Sequence, residues 1–136
     1  MPSIKTSIEI GSAGEHLAMF EIYLAGYNAH LTSDQCKYDI IIDTSSNLIR
    51  TQVKTTVKPT DTKELQSFTY QIKRKIGNKA ISYALEEFEL YAFSCLPLRR
   101  VAFMPHKDVL NSHKVTIRLE EYNYYTLDRA LKIILG

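Results

Sequence analysis

Features that would direct a small chain to a membrane, to secretion or to a zinc-stabilised fold are missing from these 136 residues. No apolar run reaches the roughly 18 residues of a membrane-spanning helix, and the one near the end is only Ile133-Ile134-Leu135. The N-terminus has no basic stretch followed by an apolar one, so it does not resemble a secretory signal. Cys36 and Cys95 are too few for a disulfide framework, and no Cys/His cluster indicates zinc. We therefore expect a cytoplasmic protein without membrane contact.

The composition is that of one ordinary globular domain. The chain is 45% apolar and 24% charged, and its length is enough to bury a core without cross-links. It contains no internal repeat and no low-complexity segment. The sequence predicts a single domain over residues 1–136.

The net charge of +2 hides an uneven distribution. Residues 1–49 carry two basic against six acidic residues, a net −4, whereas residues 50–114 carry twelve against six, a net +6. A basic middle beside an acidic first third suits a protein that uses cations for phosphates and carboxylates for a metal.

The beginning of the chain predicts a helix and then a β-hairpin. Ser12 and Glu15 have the spacing of a helix N-cap and its third residue, and an apolar face follows until Gly26. Residues 38–43 are rich in β-branched side chains, which is typical of a buried strand, and residues 48–55 form its hairpin partner.

The remainder predicts an α+β domain with a mixed sheet, in the element order α-β-β-β-β-β-β-α. Residues 55–62 are a loop around Pro59. Further strands are expected at residues 65–75, which alternate, and at 90–96, 101–104 and 115–119, with an amphipathic helix at 126–135. Residues 79–82 could return after a Gly77-Asn78 turn.

Asp39, Gln52 and Lys54 are the candidate catalytic residues. Gln52 and Lys54 are two residues apart on one strand, so their side chains share a face. Asp39 lies on the neighbouring strand of the hairpin, so the three side chains can converge. Glu15, on the preceding helix, can complete the cluster.

Hydrolysis of a phosphodiester bond needs such a set of groups. A hard divalent cation is held by oxygen ligands, with positions left for water and phosphate. A nearby lysine orients the attacking water and stabilises the charge that grows on phosphorus. We expect Asp39 to bind the metal, with Glu15 as a second or water-mediated ligand and Lys54 as the charge stabiliser. The expected ion is Mg²⁺, with Mn²⁺ able to substitute.

The ordered motifs resemble those of the PD-(D/E)XK nuclease superfamily. They are Gly11-x-x-Gly14-Glu15 on a helix, Tyr38-Asp39 on a strand and Gln52-Val53-Lys54-Thr55 on its partner. The pattern is similar to the small homing endonucleases encoded in group I introns and, next, to the archaeal Holliday-junction resolvases. The match covers residues 8–56 well and residues 90–105 more loosely. The resemblance implies a restriction-endonuclease-like core, a mixed sheet flanked by helices.

Gln52 departs from the superfamily pattern, since it stands where an acid is usual. Its amide oxygen can coordinate a cation but adds no negative charge, so the ion depends more on Asp39 and Glu15. Two alternatives therefore stay open beside a sequence-specific, homing-type double-strand cutter. One is a Holliday-junction resolvase, and the other is a catalytically inactive DNA-binding module of the same fold.

The predicted contacts to double-stranded DNA follow the catalytic hairpin. The polar face of residues 67–75 can read base edges as part of a two-stranded ribbon in the major groove, while basic neighbours contact phosphates. The candidates are Lys58, Lys63, Ser67, Thr69, Gln71, Lys73, Arg74, Lys75 and Lys79. One domain carries one active site and a double-strand cut needs two, so a homodimer or homotetramer is expected.

Overall fold

A computed structural model describes residues 6–60 and 67–136 of the chain. The helices are α1 (Ser7–Leu24) and α2 (Leu127–Leu135). The strands are β1 (Asn28–Leu31), β2 (Ile40–Asp43), β3 (Leu48–Thr56), β4 (Ser67–Gln71), β5 (Arg74–Ile76), β6 (Lys79–Ile81), β7 (Leu90–Cys95), β8 (Arg100–Pro105) and β9 (Lys114–Arg118). Short 3-10 turns lie at Leu85–Glu87, His106–Asp108 and Leu119–Asn123.

A five-stranded mixed sheet in the order β1-β2-β3-β7-β8 forms the centre of the fold. Only the β3–β7 pair is parallel, and the other neighbours are antiparallel. The β2–β3 hairpin has the predicted partners, with Asp43 opposite Leu48 and Ile40 opposite Thr51. The α+β class and the mixed sheet predicted from the sequence are confirmed.

The central sheet is covered on both faces. One face packs against the two helices through an aliphatic cluster that includes Ala18, Ile22 and Val53. The other face packs against a separate β4–β9 sheet through an aromatic cluster that includes Phe68 and Tyr91. All six residues of β7 are buried, which explains the continuous apolar run that predicts this strand.

Helix α1 begins earlier than the sequence motif predicts. Its N-cap is Thr6, whose hydroxyl accepts a hydrogen bond from the Glu9 amide at 3.1 Å and donates one to Glu9 Oε1 at 2.8 Å. The predicted start at Ser12 is therefore wrong, since Thr6-x-x-Glu9 offers the same capping spacing one and a half turns earlier. As a result Glu15 lies in the middle of the helix and caps nothing.

Two strand pairings differ from expectation. Strand β4 pairs with β9, so it does not pair with the return strand after the Gly77-Asn78 turn. That return strand is β6, and it pairs with β5 in a small hairpin of its own. The predicted continuous polar face of residues 67–75 is thus wrong beyond Gln71, because Lys75 belongs to β5 in a different sheet.

Strand β1 was not predicted, since its four residues show only one buried position.

No helix within residues 6–60 and 67–136 is both long and apolar enough to cross a membrane.

Gly14 sets how closely α1 approaches the sheet. Its backbone faces Thr55 on β3, and a Cβ atom at Gly14 would lie 2.7 Å from Cγ2 of Thr55 and still closer to its hydroxyl oxygen. The Gly14 carbonyl accepts a hydrogen bond from the buried Ser94 hydroxyl on β7 at 2.8 Å. A side chain at this position would push the helix, and Glu15 with it, away from the hairpin.

We expect Gly14→Ala to destabilise the fold by about 1–3 kcal/mol, because overpacking a tight contact forces backbone shifts. Gly11→Ala is the matched control on the same helix. A Cβ at Gly11 meets no atom within 4 Å, so this change should raise stability by about 0.5–1 kcal/mol. Urea unfolding of both variants measures the effects. Equal stability of Gly14→Ala and the unchanged protein would contradict the close approach of α1 to β3.

Candidate active site

The Asp39 carboxylate is held at the open end of the β2–β3 hairpin. The Asp39 amide donates to the Thr51 carbonyl at 2.9 Å, which continues the hairpin ladder by one residue. Asp39 Oδ2 accepts a hydrogen bond from the Val53 amide at 2.8 Å. The side chain therefore reaches across to the backbone between Gln52 and Lys54, as the predicted convergence requires.

Glu15 and Lys54 line one surface groove between α1 and β3. Gly11 and Val53 contribute to its walls, and Lys58 lies at the same groove. Gly11 leaves space beside the two charged side chains, since nothing occupies the position that its Cβ would take. The groove thus gives a ligand access to both Glu15 and Lys54.

The two carboxylates in this region, Glu15 and Asp39, both have raised proton affinities. Burial is the main reason that the pKa of Glu15 lies above its ordinary value, and repulsion from Asp39 is the next. Burial also raises the pKa of Asp39, while the Val53 amide and the Lys54 charge oppose that rise. Two partly buried carboxylates that repel each other are a favourable place for a cation.

Lys54 is a partly buried ammonium group. Burial lowers its pKa from the ordinary value, and attraction to Asp39 opposes that change. Its Nζ lies 3.4 Å from the Tyr83 hydroxyl and 5.1 Å from the centre of the Tyr83 ring. Perturbed groups clustered at a groove are typical of active sites. The sequence did not indicate Tyr83.

Gln52 occupies the position next to Asp39 in the hairpin, one residue beyond the Ile40–Thr51 pair on both strands. Its side chain is half-buried and lies on the same face of β3 as that of Lys54. Within the part of the chain that the structure describes, its amide makes no side-chain hydrogen bond. The structure therefore brings Glu15, Asp39, Gln52 and Lys54 into one region, and their roles stay predictions.

These donors fit a hard divalent cation. Two carboxylates and an amide oxygen form an all-oxygen set of the kind that Mg²⁺ prefers. No group of three His, Cys, Asp or Glu side chains able to hold a metal occurs in residues 6–60 and 67–136. Mg²⁺ commonly uses one or two carboxylates and completes its shell with water and substrate phosphate, so a complete protein cage is not required.

The predicted DNA-binding residues are distributed over several elements and do not form one continuous strand face. Lys58 is exposed at the groove, and Lys79 is exposed on β6. Lys73 follows β4, and its Nζ lies 3.1 Å from His113 Nε2. Arg74 and Lys75 belong to β5, and Lys63 lies outside the described residues.

Ser67, Thr69 and Gln71 lie on the outer face of the β4–β9 ribbon. Their partners in the register are Arg118, Thr116 and Lys114, which gives the face three polar pairs. The Thr69 hydroxyl lies 2.7 Å from that of Thr60 and 3.0 Å from that of Thr116. Sequence analysis missed the three β9 residues. Their alternation was visible, but nothing local indicated that β9 pairs with β4.

Residues 6–129 match a family model described as PD-(D/E)XK endonuclease. No curated protein matches the chain. Among solved structures, the fold is similar to that of a bacterial homing endonuclease, I-Ssp6803I, with a TM-score of 0.72 over 95% of this chain and 94% of that one. The sequence identity is 17%, so this similarity supports the fold, and it agrees with the predicted restriction-endonuclease-like core.

We expect Asp39→Asn to stabilise the metal-free protein at neutral pH. The pKa of Asp39 is higher in the folded protein than in the unfolded chain. Ionisation of Asp39 therefore lowers the stability of the folded protein. The loss is complete above the pKa of the folded state and absent below the pKa of the unfolded state. Asn removes this charge and can still accept the Val53 hydrogen bond. Urea unfolding should show a higher free energy of unfolding for Asp39→Asn than for the unchanged protein at pH 7. This difference should disappear in acid.

The same variant should lose its response to metal. At about 100 times its dissociation constant, Mg²⁺ should stabilise the unchanged protein by about 2.7 kcal/mol. Thermal unfolding with and without Mg²⁺ measures this effect. An equal shift in Asp39→Asn would show that the ion binds elsewhere.

Proposed function

We propose that this chain, which belongs to the PD-(D/E)XK endonuclease family, hydrolyses phosphodiester bonds of double-stranded DNA in a metal-dependent reaction. The observation that carries the proposal is the Asp39 carboxylate, fixed by the Val53 amide at 2.8 Å beside Lys54. This pairing of a metal-binding acid with a nearby cation is what phosphodiester hydrolysis requires.

Asp39, Glu15 and Gln52 would hold the ion, which we propose to be Mg²⁺ with Mn²⁺ as a substitute. When bound, it polarises the phosphoryl oxygens and lowers the pKa of a water molecule. The Val53 amide keeps Asp39 oriented toward the site. The Lys54 ammonium stabilises the negative charge that develops on the phosphate, and partial burial strengthens this interaction because less water screens it.

The β4–β9 ribbon supports a sequence-specific, homing-type cutter. Its outer face carries polar side chains, and a two-stranded ribbon of this kind fits the major groove, where hydroxyl and amide groups can read base edges. The similarity of the fold to that of the homing endonuclease I-Ssp6803I is consistent with this proposal. A double-strand cut then needs a homodimer or homotetramer, because each chain carries one site.

Gln52 supports a second candidate, an inactive DNA-binding module. A neutral ligand in place of an acid leaves the ion with two carboxylates, and a site that binds metal too weakly would not cut. A Holliday-junction resolvase is the remaining alternative. Cleavage of linear duplex and of a four-way junction distinguishes both alternatives from the main proposal.

We expect the protein to nick or cut a plasmid pool with randomised inserts in the presence of Mg²⁺ or Mn²⁺. Lys54→Met keeps an unbranched side chain only one atom shorter and removes the charge, so the cleavage rate should fall by about 100-fold or more. Asp39→Asn should be at least as impaired. Gel electrophoresis of the plasmid forms provides the rates.

Substrate choice distinguishes the alternatives. A sequence-specific enzyme should cut a small, recurrent subset of linear inserts. Preferential cutting of a synthetic four-way junction over linear duplex would indicate a resolvase. Tight DNA binding without cutting at any metal concentration would favour the inactive module and overturn the proposal.

We also expect the two strands of the ribbon to contribute differently to DNA binding. Lys114→Ala should weaken binding to all duplexes and reduce the slope of log affinity against log salt by about 1, because one phosphate contact is lost. Gln71→Ala should relax the recovered insert sequence, with a cost of about 1–3 kcal/mol on the preferred site.

Lys132→Ala is the matched control for the loss of one positive charge. Lys132 is exposed on α2, which packs on the opposite face of the central sheet from the ribbon. Its removal should leave the salt slope unchanged. Equal slopes for Lys114→Ala and the unchanged protein would exclude a phosphate contact on β9.

A further inference from the structure

The ammonium group of Lys54 has two kinds of neighbour. Asp39 attracts it electrostatically from the end of the hairpin. Tyr83 contacts it from the segment between β6 and the 3-10 turn Leu85–Glu87, with the hydroxyl at 3.4 Å and the ring centre at 5.1 Å. Glu15 lines the same groove. Tyr83 is the aromatic neighbour, and the proposed chemistry assigns it no role.

Tyr83 is itself held by a series of ring contacts. Its ring meets the edge of Phe88 with centroids 5.2 Å apart. Phe88 is fully buried and stacks on His106 at 4.1 Å. A His106 ring nitrogen lies 2.9 Å from the Phe88 carbonyl oxygen. The core therefore holds one side of the Tyr83 ring in place. The position of this ring relative to Lys54 is set by Phe88 and His106 as well as by Tyr83 itself.

We infer that Tyr83 is a positioning residue, which holds the Lys54 ammonium at the groove in the orientation that the reacting phosphate needs. The inference rests on the proposed function, because it gives Tyr83 an effect on cleavage that acts through Lys54. It adds a residue that lies 29 positions from Lys54 in the chain and in a different element.

A phenol suits this role better than a second acid would. The ring face and the hydroxyl oxygen attract an ammonium group without a formal charge. Lys54 therefore keeps its positive charge, and it keeps N–H donors for the phosphate. A carboxylate in the place of Tyr83 would compete with the phosphate for the same cation.

Three substitutions test the inference. Tyr83→Leu removes the ring and the hydroxyl, whereas Tyr83→Phe keeps the ring and its packing on Phe88. Tyr124→Leu is the control, because Tyr124 also packs against a cation, Arg129, with its guanidinium 4.4 Å from the ring centre. All are assayed by single-turnover cleavage of the plasmid pool in Mn²⁺, with DNA affinity measured separately without divalent ions.

We expect Tyr83→Leu to lower the single-turnover rate by 10- to 100-fold while DNA affinity changes less than 3-fold. Tyr83→Phe should recover most of the lost rate, and Tyr124→Leu should cleave at the unchanged rate. A purely structural role would lower both rate and affinity or neither. Cleavage by Tyr83→Leu at the unchanged rate, or a loss confined to affinity, would overturn the inference.

A stability measurement separates this inference from the proposed function. Urea midpoints of Tyr83→Leu, Lys54→Met and the double variant should be non-additive, because the two side chains interact. Additive midpoints would show that the contact does not exist and would overturn the inference alone. Non-additive midpoints in a protein that never cuts DNA would overturn the proposed function and leave only the contact.

Discussion

The hydrogen bond from the Val53 amide to Asp39 Oδ2 is the interaction on which the candidate site depends. It uses a main-chain donor of β3, so it fixes the carboxylate relative to the strand itself. Lys54 is the next residue on that strand and Gln52 the previous one, so a single contact sets the distance of Asp39 from both. If the hairpin were to shift in register, Asp39 would lose this donor and its alignment with Lys54.

Strand β3 can carry the site because its side chains alternate. Ile49, Thr51 and Val53 are buried, while the residues between them are only half-buried. The same alternation therefore anchors the strand in the core and presents Gln52 and Lys54 at the surface. A slip by one residue would exchange the two sets and place Lys54 toward the core, so packing against α1 also preserves the arrangement of the candidate site.

Local patterns were enough to predict this hairpin but not the contacts that join it to distant parts of the chain. The β2–β3 pair closes through a turn of four residues, and an apolar β-branched run beside turn residues is informative over such short distances. The start of α1 was missed because two capping motifs compete in sequence. The Thr69–Thr116 pair spans 47 residues and the Lys54–Tyr83 contact spans 29, and no local signal encodes partners so far apart.

The neutral side chain of Gln52 limits the electrostatic repulsion among its neighbours. Burial and mutual repulsion already raise the pKa of Glu15, and burial raises that of Asp39, so ionising both costs folding free energy without a cation. A third carboxylate would add to this cost and increase the dependence of the fold on bound metal. With an amide there, the metal-free protein carries less repulsion, and an ion bound as proposed would gain an oxygen ligand but no further charge. Weaker metal binding is then the expected consequence, and the proposed mechanism would depend more on the charge of Lys54.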